Sequence, residues 1–251
     1  MTYEKKVALE LQSWEASLHK PPGMLEKTSK TISGRINRIV PVKVHQALTA
    51  AVQGIVRTVL AGAQLTPKGK VLVGLSLEER DRRAGKLISD FQKIAAAEGA
   101  GTGAGGWVLG LVDFPALLAI KMKFLFELAH LYGYDTSDVR ERLFLLHVFQ
   151  LAFSGQNHRI RVYRTIKEWD AYVKTLPPGD RYLQTIDWTA LQQEYRDSID
   201  LRKLLQLVPG LGAIVGAWAN FSFLDELGET GRNAFRMRIL TQDSTGLSPI
   251  E

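Results

Sequence analysis

Asp113, Asn220, His130 and Tyr132 are the side chains of this 251-residue chain whose types and placing would suit acid–base chemistry. Asp113 lies near the end of GAGTGAGGWVLGLVDF, residues 99–114. A shift of 107 positions lays GAGGWVLGLVDF (103–114) on GLGAIVGAWANF (210–221). Gly103 then matches Gly210, Gly105 matches Gly212, Asp113 meets Asn220 and Phe114 matches Phe221. On a helix, positions 106, 110, 113 and 117 share a face, as do 213, 217, 220 and 224. Each face presents small, small, polar, leucine, and small residues let helix backbones approach closely. Two readings of Asp113 and Asn220 follow. Each would cap a following helix, as Asp and Asn commonly do, with Pro115 turning Phe114 away from helical conformation. Alternatively they face each other as a buried polar pair, or as the site of a hydrolase-type enzyme. There Asp113 would be the acid or base, Asn220 would orient substrate, and His130 or Tyr132 would stand nearby. His130, on a helix rich in Leu and Phe, also reads as a hydrogen-bonded structural histidine.

Other chemistries find no pattern. Gly101, Gly103 and Gly106 spell G-x-G-x-x-G, but a dinucleotide site needs a strand before the glycines. Here DFQKIAAAE precedes them and reads as helix. No Walker lysine, H-E-x-x-H or G-x-S-x-G is present. The chain has no cysteine, and its five histidines lack metal-ligand spacing,. Neither a metal nor a cofactor is expected.

Charge is uneven. Residues 1–90 carry 15 Lys and Arg against 8 Asp and Glu, more than the whole chain's net charge of +6. Lys20, Lys27, Lys30, Arg35, Arg38 and Lys43 concentrate this excess. They form either a solvated helix face or a patch for an anionic lipid surface. Nucleic acid is not expected, because aromatic residues are not interleaved with the basic ones.

The elements that must position these residues are helical nearly throughout. Residues 1–20 carry charges along their length and place Val7, Leu11, Trp14 and Leu18 at helical spacing, which suits an amphipathic helix and not a secretory signal. A second apolar stripe runs over 42–63. Ser76 and Glu79 form a capping box that opens a helix, with Gly99 as its stop. Residues 116–132 form a helix that Gly133 can end, and Asp135 reads as a cap. A helix follows to about Gly155, then one charged helix over HRIRVYRTIKEWDAYVKTL, then one capped by Asp187. VPGLGAIVGAWANFSFLDELG and a separate basic helix, RNAFRMRIL, close the chain. The expected fold is all-α: a single multi-helix bundle over residues 1–241 with a frayed tail over 242–251. Its two glycine-rich apolar segments pack together as a pseudo-repeat, with Gly103, Gly105, Gly106, Gly110, Gly210, Gly212 and Gly216 as the packing positions.

Leu204–Leu224 lacks charged residues and is just long enough to cross hydrocarbon,. Pro209, its glycines, Gln206 and Asn220 argue for core instead, as do Asp113, Pro115, Lys121 and Lys123 in the first copy. A charged Asp at mid-membrane costs roughly 3 kcal/mol.

The blocks AAAEGAGTGAGGWVLGLVDFPALLAIKMKFLFELAHLYGYD and VPGLGAIVGAWANFSFLDELGETGRNAFRMRIL resemble the central and C-terminal signatures of the EcsC family, and VPVKVHQALTAAVQGIVRTVLAG is similar to its N-terminal helix. The resemblance covers roughly residues 35–240. It implies a bacterial helical protein whose family name comes from an operon that also encodes an ABC transporter. It brings no catalytic residues. The expectation is a non-enzymatic protein on the cytoplasmic face of the membrane. Its partners would be anionic lipid and a transporter or secretion protein; the alternative is the enzyme around Asp113 and Asn220.

Overall fold

The structure, a computed structural model, describes residues 1–20, 42–62, 65–67, 69, 71–104, 114–154, 156–176 and 212–245. Among these residues it is all-α, with eight helices and no strand. They are α1 (Tyr3–Leu18), α2 (Val42–Ala61), α3 (Leu77–Ala104), α4 (Phe114–Tyr132), α5 (Val139–Phe153), α6 (Gln156–Lys167), α7 (Trp169–Thr175) and α8 (Gly212–Thr245).

Local chemistry sets several ends. The Ser76 hydroxyl accepts from the Glu79 amide at 3.2 Å, so the capping residue read from sequence opens α3,. Asp138 caps α5 through the Arg140 amide at 2.8 Å. Gly133, at φ +94, ends α4. The Tyr134 amide returns to Ala129 O at 3.0 Å and the Gly133 amide to His130 O at 3.1 Å. These are the paired bonds of a Schellman cap, which requires the left-handed conformation that glycine adopts freely.

Three boundaries differ from expectation. Helix α3 runs through Gly99 to Ala104. The charged helix after residue 156 is two helices that meet at Glu168. The apolar segment from Gly212 and the basic segment to Thr245 are one 34-residue helix. In each continuous helix tertiary packing outweighs the roughly 1 kcal/mol by which an interior glycine disfavours helix.

Helices α3, α4 and α8 form the centre. Helix α8 lies antiparallel along α3: Asp81 meets Arg236, Ile88 lies over Gly228, and Gln92 donates to Asp225 at 2.9 Å. Helix α4 is also antiparallel to α3, with Phe91 and Phe124 edge to face at 5.5 Å. It is therefore parallel to α8, where Lys121 stands over Phe223 and Leu128 over Gly231. Helix α5 closes the other side of α8 through Phe144 and Phe235, 5.4 Å apart. Helix α1 buries Val7, Trp14 and Leu18 against the bundle, and Trp14 meets Tyr163 of α6 at 5.8 Å.

Glycine serves close approach at Gly228 and Gly231. A Cβ on Gly228 would come 2.8 Å from Ile88 Cγ1, and one on Gly231 would come 2.7 Å from Leu128 Cδ2. Of the seven glycines named from sequence, Gly103 lies in the last turn of α3, and Gly212 and Gly216 in the first turns of α8. Gly105, Gly106, Gly110 and Gly210 lie outside the described residues.

Candidate functional site

Of the catalytic candidates read from sequence, Asn220 and His130 lie at different levels of the bundle. Asp113 lies outside the described residues. Asn220 lies eight residues inside α8 from Gly212, so it is not that helix's cap; its side chain is buried. His130 lies near the far end of α4, thirteen residues beyond Leu117, the residue level with Asn220. That is about 20 Å of helix. The His130 Nε2 is 3.2 Å from the Thr136 hydroxyl, and its carbonyl accepts from the Leu72 amide at 3.2 Å. Burial pushes its imidazole pKa down,. It is a hydrogen-bonded structural histidine. Asp135 accepts from the Ser137 amide at 2.8 Å and caps the turn before α5, while Asp138 caps the helix. Of the basic candidates, Lys20 is exposed and Lys43 lies in the first turn of α2; Lys27, Lys30, Arg35 and Arg38 lie outside the described residues.

Tyr132 belongs to a buried polar network. Its hydroxyl donates to Asp81 Oδ1. The Tyr3 hydroxyl donates to Asp81 Oδ2 at 2.6 Å, and Arg236 Nε donates to the same oxygen at 2.8 Å. Arg236 also donates to Glu10 at 3.0 Å and Asn233 at 3.3 Å. Burial, with Asp81 beside it, raises the Tyr3 pKa to about 12. The network joins α1, α3, α4 and α8. Its charges are opposed and its carboxylate is surrounded by donors, which suits a structural lock.

A second polar layer lies at the other end of the central helices, and its donors are less well matched. Counting seven residues on from Phe91 and seven back from Phe124 brings Glu98 level with Leu117. Counting eleven back from both Leu128 and Gly231 brings Leu117 level with Asn220. Into this level Lys121 points back from α4, donating to Leu117 O at 3.4 Å. The Lys121 ammonium feels the Glu98 carboxylate and lies 5.5 Å from the Phe223 ring centroid. Phe223 in turn packs on Phe153 at 5.5 Å. Lys121 is 7% exposed and Asn220 2%. Burial drives the Lys121 pKa down to about 8, opposed in part by Glu98,. The Asn220 Nδ2 has no hydrogen-bond partner among the described residues. Lys121 was legible as an anomaly, since it continues the stripe of Leu117, Leu118, Leu125 and Leu128, whereas Lys123 is exposed.

The same end of the bundle carries exposed apolar side chains. Trp218 and Phe221, one turn apart on α8, are 58% and 43% exposed, and Ile94 on α3 is 50% exposed. Lys93 and Lys123 are exposed about halfway along the central helices. Among the described residues no helix is long and apolar enough to cross a membrane, and no group of His, Asp and Glu could hold a metal ion.

Residues 5–240 match the model of the EcsC protein family. The chain is 43% identical over 242 residues to Protein EcsC of Bacillus subtilis (strain 168), covering 96% of this chain and 98% of that protein. It is 24% identical over 253 residues to the uncharacterized protein YdbA of the same organism, covering 91% and 90% of the two chains. No solved structure matches it.

Proposed function

The chain belongs to the EcsC protein family, and for this member we propose non-enzymatic, peripheral binding to the cytoplasmic face of a membrane through the end of the bundle formed by the α3 C-terminus and the α4 and α8 N-termini. One observation carries this reading: Trp218 and Phe221 stand exposed one turn apart on α8. Tryptophan favours the membrane–water boundary, where its ring is buried and its N–H stays wet. Basic residues add electrostatic attraction, at about 1 kcal/mol for each one near an anionic surface. The basic surplus of residues 1–90 acts in the same sense. A transporter or secretion protein embedded in that membrane would be met from the same side.

Co-sedimentation with vesicles of phosphatidylglycerol and phosphatidylcholine tests this. The chain should pellet with anionic vesicles at low salt, and less with phosphatidylcholine alone. The double variant Trp218→Ser/Phe221→Ser should bind at least tenfold more weakly at unchanged thermal stability. A wild-type chain that stays in the supernatant with anionic vesicles overturns the proposal.

A further inference from the structure

We infer that the open half of one stripe along α8, formed by Trp218, Phe221, Asp225 and Glu229, docks a basic amphipathic helix of a partner protein. Trp218, Phe221, Asp225, Glu229, Arg232 and Arg236 recur along α8 at spacings of three or four, so they share one face of the helix,. The four nearer the N-terminus are exposed, Arg232 is half-buried and Arg236 is buried. Helix α1 makes that difference. It covers the stripe at Arg236, where Glu10 accepts from the guanidinium at 3.0 Å. From there it runs to Tyr163 of α6, which Trp14 and His19 both meet. Helix α6 is parallel to α8, because α5 is antiparallel to α8 and α6 folds back along α5. Arg159 of α6 lies 3.6 Å from Glu226, which puts Tyr163, one turn on, level with about Thr230. Glu229 and the stripe residues before it therefore lie beyond the end of α1.

The covered half shows what kind of element the stripe accepts. Helix α1 is amphipathic: it buries Val7, Trp14 and Leu18 and sets Glu10 against Arg236. A basic half of the stripe is thus met by apolar side chains and a carboxylate. The open half has the opposite sign, two aromatic rings followed by two carboxylates. An apolar helix face bearing Lys or Arg completes it in the same way. Asp225 accepts from Gln92 at 2.9 Å, a neutral donor. Neither Asp225 nor Glu229 pairs with a cation among the described residues, and Lys93 on the adjoining α3 is turned to Asp90 at 3.7 Å. Trp218 to Glu229 spans about 17 Å of helix, room for about three turns of a partner. The rings suit lipid and a partner helix alike. The carboxylates behind them repel anionic lipid heads and attract a basic helix, so they separate this inference from the membrane reading.

The test is fluorescence anisotropy of a labelled peptide of about 14 residues, four turns of helix, with leucine and lysine at amphipathic spacing, titrated with the full chain without lipid. The control peptide carries glutamate in place of lysine. The wild type should bind the lysine peptide about tenfold more tightly, although its net charge of +6 favours the glutamate peptide at long range,. Asp225→Lys/Glu229→Lys should reverse that preference. Asp225→Asn/Glu229→Gln, which keeps an acceptor for Gln92, should abolish it at unchanged melting temperature. Trp218→Ser/Phe221→Ser should weaken binding of the lysine peptide about tenfold. Equal binding of the two peptides by the wild type, or an undiminished preference in Asp225→Asn/Glu229→Gln, would overturn the inference. So would a wild-type dimer in sedimentation that Trp218→Ser/Phe221→Ser makes monomeric, since a second copy would then be the occupant. Vesicle co-sedimentation separates the two proposals. Wild-type pelleting without a peptide preference sinks the helix-docking site alone, while a wild type that prefers the lysine peptide and stays in the supernatant sinks the membrane reading alone.

Discussion

Arg236 Nε donates to Asp81 Oδ2 at 2.8 Å across 155 positions of sequence, and both side chains are almost wholly out of solvent. Asp81 also accepts from Tyr3 and Tyr132, so one carboxylate ties three helices to the one that bears it. Its position explains why α1 docks as it does: Tyr3 enters beside Asp81 while Glu10 takes the other side of the guanidinium.

Removing one partner of such a pair leaves the other charge buried. Asp81→Ala should destabilise the fold by about 3–5 kcal/mol, read as a lowered urea midpoint. Tyr3→Phe removes a single bond to a charged acceptor and should cost about 1.5–3 kcal/mol. An Asp81→Ala variant as stable as wild type would show that the network contributes nothing net.

Gly228 and Gly231 should respond differently to alanine. At Gly228 the new methyl meets three Ile88 carbons at 2.8–3.0 Å. Ile88 cannot swing clear without moving its branched Cβ substituents, so overpacking of about 1–3 kcal/mol outweighs the roughly 1 kcal/mol gain in helix propensity. At Gly231 the closest atom is one terminal methyl of Leu128, at 2.7 Å, which a small rotation can relieve. Gly228→Ala should lower the melting temperature, and Gly231→Ala should leave it nearly unchanged. The reverse order would refute this account.

Lys121 gives stability a pH dependence with a definite sign. Its pKa of about 8 lies below its ordinary value of 10.5. Between these values the unfolded chain holds a proton that the folded chain has released, so its contribution to stability rises with pH across that window and falls as pH drops through 8. Buried tyrosines with raised pKa values act in the opposite sense above about pH 10. Melting curves of wild type and Lys121→Met should therefore be compared between pH 7 and 9.5. The variant should be the more stable at pH 7, and its advantage should shrink as pH rises. A constant difference would show that Lys121 does not titrate in this range.

The legible part of the fold is its local chemistry. Ser76 and Gly133 announced a helix start and a helix end because caps close hydrogen bonds over three to five residues, all within one short reading frame,. The apolar stripe of α1 was equally plain, since Val7, Trp14 and Leu18 recur at the helical period,. The signature blocks around the two glycine-rich stretches identified the family.

The sequence by itself determined which segments are helical, where several of them begin and end, and the family. Tertiary structure decided which glycine is a packing position and which a chain breaker. Gly228 and Gly231 look like breaks, and become sites of close approach only because Ile88 and Leu128 come from other helices to lie over them. Tertiary structure likewise decided that Lys121 is buried while Lys123 is exposed, that Asn220 shares its level with Glu98, and that His130 lies at the opposite end. Such facts depend on register between helices, which is set by side chains a hundred or more positions apart, whereas helix formation is set by neighbours within one turn.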